Sequence, residues 1–298
     1  MLELVEKTMR EIVASLDDAR VCSLYEGVPS GKRLRAKLIL KIASTHPDAV
    51  KLAAIVELIH AASLLHDDVI DDALTRRGVD SINARFGNKT AIMLGDILYS
   101  KGFFELCALP SSVAQTISNA VALLSLGELQ DVELAQRFHH DKATYDQMIY
   151  NKTASLIEAS AKAAAQLVGK PWEPFATYGR NLGLAFQIVD DILDITQDSQ
   201  TLGKPALNDF AEGKTTLPYL YMYEALNTED KAMLLSLFGV VLSPSQAAWI
   251  HEKMHTSGAL SRSIAHAKRL GKEALDAIGE TGVEGLDKVV IQMIEREF

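Results

Sequence analysis

The run His66-Asp67-Asp68-Val69-Ile70-Asp71-Asp72 carries the strongest chemical signal in this chain. Carboxylates at i, i+1 and i+4 put Asp67 and Asp71 one turn apart on one helix face. Like charges at that spacing destabilise a helix by about 0.2–0.5 kcal/mol per pair, so a compensating cation is expected. The pattern returns at Asp190-Asp191-Ile192-Leu193-Asp194, again among apolar residues: Leu182, Leu184, Ile188 and Val189 before it, Ile195 after it. One such cluster commonly means an acidic helix end, solvated or paired with Lys and Arg. Two, both set within apolar helices, point to metal binding. Hard carboxylate oxygens on rigid helices suit Mg²⁺, which keeps several waters and bridges to phosphate oxygens. Neither cluster contains cysteine and His66 is only a neighbour, so a soft metal is not expected.

A carboxylate-held Mg²⁺ implies an anionic ligand on its open side, and the basic residues then acquire a purpose. Gly31-Lys32-Arg33-Leu34-Arg35 opens a helix, offering cations near free backbone N–H groups. Arg76-Arg77-Gly78 follows the first acidic run by one short loop, and Lys152-Thr153, Lys204 and Lys214-Thr215-Thr216 add cations in otherwise apolar or acidic stretches. Each alone reads as a solvated surface residue; their placement beside the two clusters raises them to phosphate ligands.

The elements that must position these groups are helices, because apolar residues recur at spacings of three and four and strand-like alternation is scarce. Pro47-Asp48 opens a segment running through Ile55, Leu58, Ile59 and Leu65 towards Asp72. Pro110-Ser111-Ser112 opens a second, to about Arg137; His140-Asp141 opens a third, ending near Gly169-Lys170-Pro171; a fourth starts around Glu173. After Gly213 shorter helices are expected, with starts at Thr228-Glu229-Asp230 and Ser243-Pro244-Ser245. Without a low-complexity linker or a fixed-period repeat, one all-α domain over residues 1–298 is the economical reading, and a solenoid is not expected.

Composition narrows the class further. The 298 residues are 48% hydrophobic and 23% charged, enough apolar material for a sizeable core. The formal net charge of −9, with no dense Lys/Arg stripe, argues against nucleic-acid binding and for discrete anion sites. Two cysteines, Cys22 and Cys107, allow no disulfide framework and read as reduced cytoplasmic thiols. The N-terminus lacks the basic region and apolar run of a secretory signal. The uncharged stretch Leu106 to Gly127 contains Pro110, Gln115 and Asn119, so it reads as a turn and a buried helix, not a transmembrane segment.

Taken in order, these motifs resemble the trans-isoprenyl diphosphate synthases, also called polyprenyl synthetases. The resemblance runs from Gly31 through Lys152-Thr153-Ala154 and Phe186-Gln187-Ile188-Val189-Asp190-Asp191 to Gly213-Lys214-Thr215-Thr216-Leu217-Pro218. It implies an all-α, single-domain helical bundle of the isoprenoid synthase type with a central active-site cavity, working as a homodimer in the cytoplasm. It also implies roles. Asp67, Asp68, Asp71 and Asp190 serve the Mg²⁺, most directly Asp67, Asp71 and Asp190. Arg76, Lys152, Lys204 and Lys214 hold an allylic diphosphate. Lys32, Arg35, His60 and Arg77 hold isopentenyl diphosphate, and His60 lies two turns before Asp67 on nearly the same face. Lys152, Thr153 and Gln187 serve the chemistry itself, Thr153 and Gln187 turning oxygen dipoles towards an allylic cation. Ser30 and Ala36 depart from the family's usual glycine and proline, leaving the phosphate ligands intact.

In such enzymes a bulky aromatic four or five residues before the first aspartate is similar to a floor that stops chain growth. Here those positions are Ser63 and Ala62, both small, which implies a product beyond farnesyl length. Met93, Leu94 and the Val121–Leu124 segment are candidates for a deeper floor. The pattern is most similar to bacterial octaprenyl synthases, which serve quinone side chains, with geranylgeranyl synthesis the alternative. A terpene cyclase would not need the Gly-Lys-x-x-Arg site for a second substrate, and a non-catalytic partner subunit would be expected to lose aspartates that this chain keeps. Peripheral contact with a membrane for product release is compatible with the same reading.

Overall fold

The computed structural model describes residues 1–197 and 207–294. It is almost wholly helical among those residues. The helices are α1 (Leu2–Ala14), α2 (Ala19–Glu26), α3 (Leu34–Ile42), α4 (Ala49–Ile70), α5 (Ile82–Phe86), α6 (Asn88–Leu106), α7 (Ser111–Leu134), α8 (Lys142–Ile149), α9 (Ser155–Leu167) and α10 (Glu173–Thr196). Beyond the undescribed residues come α11 (Asn208–Ala211), α12 (Leu217–Ala225), α13 (Thr228–Ser236), α14 (Pro244–Thr256), α15 (Ala259–Ile278) and α16 (Leu286–Ile294).

The starts follow the capping chemistry. Asp18, Ser81, Asp141 and Asn227 each accept a backbone N–H in the first turn of the helix that follows. Ser243 and Gln246 complete a reciprocal capping box ahead of α14. The C-terminal part departs from the expected run of short helices. α15 spans 20 residues, entered through Gly258 in the left-handed region (φ 73°). It buries Leu260, Ser263, Ala267, Leu270, Ala274 and Ile278 at spacings of three and four.

The backbone divides into two compact units, residues 1–121 with 159–176, and residues 122–158 with 177–298. In the first unit α4 is the core element, packed by α1, α3 and α6. By length and composition it could cross a membrane, with a mean hydropathy of 1.5, but 72% of that span is buried within the protein. A helix apolar on all sides is a core helix when neighbours surround it. A two-residue antiparallel hairpin, β1 (Thr75–Arg76) and β2 (Val79–Asp80), follows α4 and was not signalled by the sequence pattern. In the second unit α12 packs against α15 and α14. Cys22 and Cys107 are free thiols.

Candidate active site

The first acidic run ends α4. Asp67 is half-buried, and Asp71, the C-cap of α4, is exposed. Asp68 turns inward at 4% exposure, and Arg76 from the hairpin pairs with it, Nε to Oδ1 at 2.6 Å. That ion pair provides part of the compensation the like charges demanded.

Around His60 the same unit gathers cations. Arg35 is buried, its Nε has no hydrogen-bond partner, and burial pushes its guanidinium down to about 10 despite Glu57 and Asp67 nearby. Burial, then Arg35, Arg77, Arg33 and Arg76, hold the His60 imidazole well below its ordinary value, so it is neutral. Arg77 is also depressed, first by partial burial and then by Arg76 and Arg33. Arg33 is by contrast raised, its burial outweighed by Glu6 and Glu57, so the positive charge that carboxylates do not offset gathers at Arg77, where it favours an anion. Arg77 Nη1 donates to Pro29 O at 2.9 Å, and a side chain at position 31 would place its Cβ 2.6 Å from that guanidinium. Glycine at 31 therefore lets Arg77 lie against the loop. Arg33, Asp72 and Arg77 all adopt positive φ (51°, 48° and 54°), a cost of order 1–3 kcal/mol each that tends to gather at functional sites.

Glu57 organises this cluster and was missed from the sequence. It is 2% exposed, accepts the Ala36 N–H at 2.9 Å and pairs with Arg33 at 3.4 Å; Arg33 also bonds Glu6 at 2.6 Å. The start of α3 thus already has a carboxylate on one of its N–H groups, so the positive charge here comes from the side chains and not from a bare helix end. Its signal was present: a glutamate in the apolar run Ala53 to Ile59 is seldom buried unless paired. Lys32 is exposed. Ala62 and Ser63 are enclosed at 0% and 2% exposure, and the Ser63 hydroxyl donates to His60 O at 2.9 Å.

In the second unit Lys152 and Thr153 lie in a π-helical turn, Tyr150–Ala154, between α8 and α9. Lys152 Nζ pairs with Glu128 at 2.9 Å and Asp131 at 2.6 Å, both buried on α7. Although burial opposes it, those two carboxylates raise the Lys152 ammonium above its ordinary value, so it stays charged. The backbone approaches α7 closely there: a Cβ at Gly127 would sit 2.2 Å from Lys152 N. Glu128 and Asp131 were also missed, although a glutamate and an aspartate at helical spacing in an apolar helix are the same signal as Glu57.

From the π turn a hydrogen-bonded chain runs to the second acidic run. Thr153 Oγ1 donates to Gln187 Oε1 at 2.7 Å, Gln187 Nε2 donates to Asp191 Oδ1 at 3.0 Å, and the Tyr145 hydroxyl donates to Asp191 Oδ2 at 2.5 Å. Asp191 is 3% exposed, and burial pushes its carboxyl up to about 8 against the two hydrogen bonds. Asp194, 2% exposed, accepts the Asp209 N–H at 3.2 Å, whereas Asp190 is half-buried. Lys214 pairs with Glu212 at 2.9 Å. Lys204 lies outside the described residues. Tyr145 had no sequence signal, being 46 residues from its partner.

Among the described residues no three His, Cys, Asp or Glu side chains form a ready metal cage. Mg²⁺ needs none, since one or two carboxylates plus substrate phosphates suffice, and the carboxylates of Asp67 and Asp71 on the first unit are of that chemistry, as is Asp190 on the second.

Against known proteins, the Polyprenyl synthetase family model matches residues 22–254. The crystal structure of octaprenyl pyrophosphate synthase from Helicobacter pylori shares 43% identity, covering 99% of this chain and 98% of that one at a TM-score of 0.94. A short chain isoprenyl diphosphate synthase of Methanothermobacter thermautotrophicus is 32% identical over 99% of this chain and 96% of its own. Octaprenyl diphosphate synthase of Haemophilus influenzae is 34% identical over 83% of this chain and 78% of its own. Similar proteins are also named for heptaprenyl (a "component 2"), solanesyl, decaprenyl and geranylgeranyl products, so likeness alone does not fix the product length. The helical architecture is that of the isoprenoid synthases. The chain belongs to the polyprenyl synthetase family, whose members are chain-elongating prenyltransferases.

Proposed function

We propose that this chain is a Mg²⁺-dependent prenyltransferase that condenses isopentenyl diphosphate with an allylic diphosphate into a long all-trans polyprenyl diphosphate, of octaprenyl length for quinone side chains. The observation that supports this reading is the gathering of Arg35, Arg77, Arg33 and Arg76 around His60, with Asp67 close enough to act on Arg35, positive charge for a diphosphate near carboxylates for a metal. The 43% identity to an octaprenyl synthase and the small Ala62 and Ser63 support the length.

Arg35, Arg77, Lys32 and His60 hold isopentenyl diphosphate, the neutral imidazole serving as a hydrogen-bonding group. Arg76, Lys152, Lys204 and Lys214 hold the allylic diphosphate, and Asp68 acts by fixing Arg76. Asp67, Asp71 and Asp190 would hold Mg²⁺, which when bound supplies Lewis-acid neutralisation of the departing diphosphate. The cationic side chains stabilise the same leaving group as the allylic C–O bond ionises. Oxygen lone pairs of Thr153 and Gln187 face the resulting cation. The isopentenyl double bond attacks it, and a proton leaves to the released diphosphate. The whole chain acts as one catalytic domain, as a homodimer in the cytoplasm, with product release at a membrane surface.

A subunit of a two-component synthase is the second reading, favoured by the relative named as a component. Purified protein is incubated with farnesyl diphosphate, labelled isopentenyl diphosphate and Mg²⁺, and products are resolved by length. Elongation past geranylgeranyl, abolished by EDTA and by Asp67→Ala, is expected. Products ending at geranylgeranyl overturn the octaprenyl assignment, and no elongation with any primer overturns the autonomous enzyme.

A further inference from the structure

We infer that Tyr145 is a positioning residue for this reaction: through Asp191 its hydroxyl fixes the orientation of Gln187, and through Gln187 that of Thr153. The inference rests on the prenyltransferase reading and adds a residue to it. Tyr145 (on α8) is 0% exposed, so its hydroxyl has no water to bond and donates to Asp191 Oδ2 at 2.5 Å. Asp191 Oδ1 takes the NH₂ of Gln187 at 3.0 Å, which turns the Gln187 Oε1 to Thr153. An amide oxygen only accepts, so the Thr153 hydroxyl donates to it, at 2.7 Å.

With Gln187 so turned every partner in the chain is satisfied: Asp191 takes a donor on each oxygen, and the Gln187 oxygen takes the Thr153 hydroxyl. At the other end Thr153 and Gln187 are left with oxygen lone pairs uncommitted, on residues that retain some exposed surface (Thr153 9%, Gln187 half-buried). Those lone pairs are what an allylic cation requires. Without the Tyr145 hydroxyl, Asp191 loses one of the two donors that define its plane, and Gln187 loses its fixed orientation.

The test is Tyr145→Phe in the full-length protein, alone and combined with Gln187→Leu. The expected result is a kcat lower by about 10- to 100-fold, the range for groups that orient a functional residue. KM for both diphosphates should stay within about twofold, since substrate contacts are untouched. In the Gln187→Leu background the hydroxyl has nothing left to orient, so Tyr145→Phe should cost less than about twofold, a non-additivity that general loosening would not give. An unchanged kcat in Tyr145→Phe, or equal losses in both backgrounds, overturns the inference while the wild type still elongates. If the wild type fails to elongate, the underlying functional reading is at fault instead. Should Tyr145→Phe not fold, 3-fluorotyrosine at 145 keeps the packing and alters only donor strength. Its kcat should then differ from wild type in the Gln187 background and match in the Gln187→Leu background; no difference in either overturns the proposal.

Discussion

Replacing Gly127 by alanine tests whether the close approach of α7 to the π turn sets the position of Lys152. The added Cβ would lie 2.2 Å from Lys152 N and 2.6 Å from its Cα, where ordinary contact begins at 3.4 Å. The obstructing atoms are backbone, so no rotamer change relieves the overlap, and the helix and turn must separate by roughly 1 Å. Overpacking of this kind costs about 1–3 kcal/mol. Alanine returns up to about 1 kcal/mol over glycine in a helix. A net loss of up to about 2 kcal/mol lowers Tm by up to about 3 °C at this chain length, given about 2.1 cal/mol/K of unfolding entropy per residue. Activity should fall further than stability. Lys152 is held between Glu128 and Asp131 at 2.9 and 2.6 Å, and under its proposed role at the allylic diphosphate a displacement of about 1 Å costs on the order of 10²-fold in rate. Thermal unfolding followed by circular dichroism, with elongation kinetics well below the midpoint, reads both numbers. A Tm that rises, with kcat unchanged, would show the propensity gain unopposed and refute the argument.

Two further outcomes follow from the first unit. His60 has a folded-state pKa well below its ordinary value, so below about pH 6.5 the unfolded chain binds a proton that the folded one refuses. Its contribution therefore destabilises as pH falls through about 6.5 and is absent above it. His139, His251 and His266 are shifted the same way, so His60→Asn should make the acid limb of urea midpoint against pH shallower without flattening it; an unchanged slope would remove His60 from the account. Ala62→Phe inserts a ring where the side chain has 0% exposure, and should shorten the products to geranylgeranyl or below at a stability loss of about 1–3 kcal/mol. Unchanged product lengths in the elongation assay would take Ala62 out of chain-length control.

The sequence by itself determined the helical class and several element starts. Asp141 and Ser243 cap the helices that their positions announced, and the helix expected from Thr228 begins there behind an Asn227 cap, because a cap is a bond between residues two or three apart. The i, i+4 spacing of Asp67 and Asp71 placed them on one face for the same local reason. What the spacing did not carry was which carboxylates are buried against other elements: Asp68 turns to Arg76, Asp191 to Tyr145 and Asp194 to Asp209, while Asp67 and Asp190 are half-buried and Asp71 is exposed. That sorting depends on neighbours brought from other elements, Asp191 from 46 residues away. The π turn at Tyr150–Ala154 was hidden for a similar reason: nothing in its residues forbids an ordinary helix, and it appears where the backbone packs on Gly127. Glu57, Glu128 and Asp131 lie between the two cases. Their charge in apolar helices was visible in the sequence, but only packing showed that Glu57 takes Arg33 and the Ala36 N–H, and that the other two hold Lys152. Local bonds are written in short stretches of sequence; the partner of a buried charge is chosen by tertiary structure, because burial without a partner is too costly to leave unanswered.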